Sequence, residues 1–164
     1  MKKEDIKTLE EIFDADQEAI KNYKDKKISL EEWVALVNKN TDYIKGLIKA
    51  GQFPFITKSS EKAYNAAFVA VQHSNDRQLM LDTVKLLEGA STDDVRKSHL
   101  AYLMDRLRIM DNKPQLYGTQ FKKDSDGRIV FFEIEQEEDL DKRREELGLG
   151  SFEEYKKMCG CNLC

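Results

Sequence analysis

Ile6, Leu9, Phe13, Ile20 and Tyr23 recur at near-helical intervals between lysines and glutamates, a spacing that predicts an amphipathic helix over residues 3–25. The run Ser29-Leu30-Glu31-Glu32 has the capping-box pattern, in which the hydroxyl accepts from a free N–H three residues on and Glu32 reaches back. It predicts a second helix carrying Trp33, Leu36 and Val37. Residues 41–51 read as a third helix, stopped at Gly51, before Gln52-Phe53-Pro54-Phe55 turns the chain. Ala63, Ala66, Ala67, Phe68, Ala70 and Val71 then leave little polar face, which predicts the central, buried helix, ending in Gln72, His73, Ser74 and Asn75. A helix over about residues 76–87 carries Leu79, Met80, Val84 and Leu87. Ser91, three before Asp94, is expected to cap another over residues 93–110, with Leu100, Leu103, Met104 and Leu107 facing inward.

After Pro114 the period shortens. Tyr117–Phe121 and Arg128–Ile134 flank a Gly-containing turn and predict one β-hairpin, its Phe121, Ile129 and Phe131 packed on the helices, because an isolated hairpin is marginal in water. Residues 137–148 return to helix, and Ser151 with Glu154 forms a second capping box. The expected class is mainly α: a single-domain helical bundle over residues 1–158 with one small hairpin near residues 117–134, followed by a Cys-rich tail over residues 159–164.

Composition narrows the chemistry. A length of 164 residues suits one core. With 27 basic against 31 acidic residues, the formal charge of −4 offers no bulk attraction for nucleic acid. The N-terminal residues mix acids and bases without an apolar run, so neither a signal peptide nor a membrane span is expected, and a cytoplasmic protein is the default. Nucleophile elbows, phosphate-binding glycine loops and paired-His zinc motifs are absent from the sequence.

Three segments, AAFVAVQHSND, AYLMDRLRIMDNKPQLYGTQF and LDKRREELGLGSFEEY, together resemble a family of bacterial proteins known only as a domain of unknown function. Its members show a Gln-His-Ala-Asp-like segment, a Tyr-Leu-x-Asp-Arg helix, a Pro-Gln-x-Tyr-Gly-Thr-Gln corner and a closing Arg-Arg-x-x-x-Gly-Leu helix. DADQEAI at residues 14–20 and KAGQFP at residues 49–54 are similar to its N-terminal elements. This chain departs by placing Ser74-Asn75-Asp76 after the histidine. The resemblance implies no activity.

Among the chemistry-bearing residues, His73 is the first candidate, since an imidazole gains and loses a proton near neutral pH, with Gln72 and Asn75 in reach as orienting amides. It could equally cap a helix C-terminus. Asp105 is a second catalytic candidate. Arg106, about 100° further round the same helix, shares a stripe with His99 and Tyr102 and could clamp a carboxylate or phosphate, or make a structural ion pair. Gln115, Tyr117, Thr119 and Gln120 crowd one corner around Gly118, either as a wall that reads a polar ligand or as partners for backbone groups otherwise left bare. Arg143 and Arg144 could add positive charge to that wall, or form a solvated face. Cys159, Cys161 and Cys164 offer closely spaced thiolates for zinc or copper or for redox chemistry, although closed zinc sites usually need four ligands.

Two function classes follow. One is a small enzyme or ligand-binding protein with a polar pocket for an anionic small molecule, of hydrolase or transferase type, needing no cofactor. The other is a non-enzymatic interaction or soft-metal module using the cysteine tail.

Overall fold

The computed structural model describes residues 1–160. Among the described residues are seven α-helices and one two-stranded antiparallel sheet, the mainly α class with a single hairpin that the periodicity predicts. The backbone gathers into two compact units. The first holds residues 1–79 and 90–95; the second holds, among the described residues, 80–89 and 96–160.

In the first unit α1 (Lys3–Lys24) carries Glu4 and Asp5 in its first turn and Lys21 and Lys24 in its last, charges that complement the helix dipole. The capping box opens α2 (Leu30–Lys49): Ser29 Oγ accepts from Glu32 N at 3.1 Å and the Glu32 carboxylate accepts from Ser29 N at 2.8 Å. Residues 41–51, expected as a separate helix, are the continuation of α2. Asn38, Asn40 and Thr41 are only moderately poor helix formers, and the Thr41 hydroxyl turns back onto the Val37 carbonyl at 2.8 Å. Gly51, at φ +69°, supplies the stop, with Gln52 N donating to Leu47 O and Gly51 N to Ile48 O, the two bonds of a Schellman motif.

Helix α3 (Glu61–His73) is the buried helix expected, with seven buried residues from Ala63 to Val71, and it packs on α1 and α2. Ser60 Oγ caps it by accepting from Ala63 N. Helix α4 (Arg77–Glu88) begins after Asp76, whose carboxylate accepts from Leu79 N at 2.9 Å. The Ser91–Asp94 pair does not start a helix. Asp94 is held by Ser91 and Thr57 and its carbonyl accepts from Ile56 N, so the segment is a tethered turn and α5 (Lys97–Met110) begins later.

In the second unit α5 buries Leu100, Leu103 and Leu107 together with Asp105. Strands β1 (Phe121–Lys123) and β2 (Ile129–Phe131) pair with Phe121 opposite Phe131. Helices α6 (Leu140–Glu146) and α7 (Phe152–Met158) follow, the latter opened by the expected box at Ser151 and Glu154. The hairpin is anchored chiefly through Phe131, whose ring lies 5.0 Å from that of Phe152 and 6.0 Å from that of Tyr155. Phe121, expected to be packed away, is 39% exposed and leans on Phe131 alone among the aromatic rings near it.

Candidate functional site

The polar corner is built around Asp105. From the buried face of α5 its carboxylate accepts from the backbone N–H of Leu116 at 2.7 Å, of Tyr117 at 3.0 Å and of Thr119 at 2.9 Å, and from the Thr119 hydroxyl at 2.9 Å. Every partner is a donor, which suits a carboxylate and not a proton source. Burial pushes the Asp105 carboxyl above its ordinary range, while these donors pull the other way.

Gln115 is fully buried and uses its whole side chain. Its Nε2 donates to Gln120 O at 3.0 Å and Phe132 O at 2.9 Å, and its Oε1 accepts from Gln120 N at 2.8 Å, riveting the corner to the residue that follows β2. Gln120 in turn donates to Thr119 Oγ1 at 3.1 Å. Gly118, at φ +64°, brings the backbone against the Phe152 ring. The Tyr117 phenol is half-buried, and burial raises its pKa.

The paired arginines close the same knot from outside the corner. Arg143 donates from Nε to Leu116 O at 2.8 Å and also reaches the carbonyls of Glu135 and Gln136. Arg144, 2% exposed, donates to Gly150 O at 2.8 Å and Tyr117 O at 2.6 Å and lies over the rings of Tyr155 and Phe152. Burial lowers its pKa. Arg108 does similar work on Pro114 O and Glu135. Gln115, Thr119 and Arg144 are thus engaged with the protein itself, and the corner's donors meet the corner's own acceptors.

Arg106 differs. Its Nε is buried without a hydrogen-bond partner among the described residues, and burial lowers its pKa. On the same stripe of α5, burial and the nearby Arg96 charge lower the His99 pKa to about 4, which keeps this imidazole neutral at pH 7. Because the unfolded chain binds the proton more readily between about 6.5 and 4, stability from this group is present above that window and lost as pH falls through it. Acidification from pH 7 to about 4.5 should therefore cost the wild type about 2 kcal/mol more than His99→Gln, read from urea melts at both pH values.

In the first unit the last turn of α3 brings His73 to α1. Its Nδ1 lies 3.7 Å from Asp16 Oδ1, longer than a hydrogen bond but within ion-pair reach, and has no other partner. The Asp16 side chain is 6% exposed and that of His73 28%. Gln17 Nε2 donates to the second Asp16 oxygen at 3.3 Å. The Trp33 ring meets His73 edge-on, with centroids 6.0 Å apart, and stacks on Tyr23 at 5.3 Å. Gln72 and Asn75, expected as orienting amides, form no hydrogen bond with the ring; Asp16 is the group that faces it. Sequence reasoning missed Asp16, although it sits on the stripe of Leu9, Phe13, Ile20 and Tyr23 where an apolar residue belongs.

Cys161 and Cys164 lie outside the described residues. Cys159 follows α7 and is half-buried. Among the described residues no group of three His, Cys, Asp or Glu side chains could hold a metal ion, and no helix is long and apolar enough to cross a membrane. Residues 16–162 match a family model described as a family of unknown function, DUF6624. No curated protein and no solved structure matches the chain.

Proposed function

Since the chain belongs to the DUF6624 family, which lends no activity, we propose from its own residues that it is a small enzyme whose general acid–base group is His73, oriented by Asp16. The observation that carries this reading is a buried carboxylate facing an Nδ1 that has no other partner, on a ring that keeps part of its surface open. An acid beside Nδ1 favours the proton there and leaves the Nε2 lone pair as the base. His73 would take a proton from an attacking water or hydroxyl and return it to the leaving group, a cycle that serves hydrolysis or group transfer in the cytoplasm. Trp33 limits the ring's rotation.

A separate observation supports anion binding. The buried Arg106 Nε lacks an acceptor, and a guanidinium fork suits a carboxylate or phosphate. A panel of phosphorylated and carboxylated metabolites, screened by thermal shift and then for turnover, tests both readings. Turnover of a hit should fall at least about 100-fold in His73→Gln and about tenfold in Asp16→Asn. Stabilisation by anions should vanish in Arg106→Gln. Turnover indifferent to His73→Gln would remove the first reading, and anion binding indifferent to Arg106→Gln the second.

A further inference from the structure

Helices α1 and α2 border a half-open groove of about 470 Å³, lined by Thr8, Ile12 and Ala15 from one helix and Leu36, Asn40 and Tyr43 from the other. Each set follows the spacing of a single helix face. The volume falls in the range of small-molecule sites.

Asn40 is the residue that a plain helix seam does not explain. It is 5% exposed, it lines the groove with Ile12, Ala15 and Leu36, and its carboxamide, which is not sealed from solvent, makes no hydrogen bond among the described residues. The adjacent Thr41, 6% exposed, shows the usual solution, because its hydroxyl donates to the carbonyl one turn back. An amide that keeps contact with solvent is satisfied by water, so a guest must replace those hydrogen bonds to bind. A leucine would suit both the helix and the apolar walls better. The Asn40 amide, unpaired within the protein and open to the groove, can therefore pair with something that enters in place of water. Tyr43 does not pair with it, since its hydroxyl is committed to Asp5 Oδ1 at 3.2 Å.

We propose that this groove binds a small molecule with an apolar body and a planar donor–acceptor edge, of the carboxamide, lactam or imide class. Its C=O and N–H would pair with the two halves of the Asn40 amide while its body lies on Ile12, Ala15 and Leu36. A carboxylate fits less well, because it has acceptors only and would face the Asn40 oxygen. Lys39 would favour such an anion, but Glu11 on the facing helix opposes it. The site stands apart from the His73 reading and does not depend on it.

Benzamide, toluene and benzoate share one ring and differ in the edge, so they separate the contributions. Titrated into ¹⁵N-labelled protein, benzamide should move the Asn40 side-chain NH₂ and the Ile12 and Ala15 amides saturably, and bind at least tenfold more tightly than the other two. Asn40→Leu, or the isosteric Asn40→Asp should the leucine variant not fold, should lose at least tenfold, whereas His73→Gln should bind as the wild type does. No movement of these resonances up to the solubility of benzamide would overturn the assignment and leave a hydrated amide. Equal binding of toluene or benzoate, or full binding by the Asn40 variants, would also overturn it.

Discussion

Asp105→Ala is expected to lower the unfolding free energy by about 3–5 kcal/mol, because it strips the acceptor from three backbone N–H groups and one hydroxyl at once. Each buried donor left bare costs about 1–3 kcal/mol, and relaxation of the corner keeps the total below their sum. Asp105→Asn should fall between, since its NH₂ must face an N–H that needs an acceptor. Urea melts of both variants provide the check. If the carboxylate were held for chemistry and the corner stood without it, Asp105→Ala would change stability by less than about 1 kcal/mol.

Gly118→Ala should cost about 2–4 kcal/mol for two reasons that act together. Its φ of +64° is a conformation that side chains rarely adopt, and a Cβ there would stand 2.8 Å from Phe152 Cε2 and 3.0 Å from Cδ2. Phe152 cannot retreat freely, because it is stacked against Phe131 and lies beneath Arg144. Thermal melts should show part of the loss recovered when Gly118→Ala is introduced into Phe152→Leu and compared with Phe152→Leu alone, because vacating the ring relieves the clash and leaves the backbone strain. A wild-type melting curve for Gly118→Ala alone would show that the corner yields easily.

These effects bear on what could be read from the chain. Periodicity exposes the helices because burial of one face is local information, and both capping boxes and the Gly51 stop are local too. The join of residues 41–49 to α2 is not, since weak helix formers are held in the helix by packing of the buried Thr41, Ile44 and Leu47. The corner is conspicuous in sequence as a cluster of amides and hydroxyls, but its anchor lies on α5, more than ten residues away. No spacing rule connects Asp105 to Thr119. Asp16 and Asn40 carried a signal of another kind, a polar residue on an apolar helix stripe, which marks positions where burial must have a partner or a use.

The pair His73 and Asp16 is the part of the molecule on which the enzymatic reading turns, and the chain's two histidines make it directly observable. Long-range ¹H–¹⁵N spectra of the imidazoles above about pH 8, where an ordinary imidazole is neutral, report which nitrogen holds the proton. With His99→Gln removing the other ring, His73 should hold its proton mainly on Nδ1 and shift to the Nε2–H form in Asp16→Ala. An Nε2–H tautomer in the wild type, indifferent to Asp16→Ala, would contradict the account.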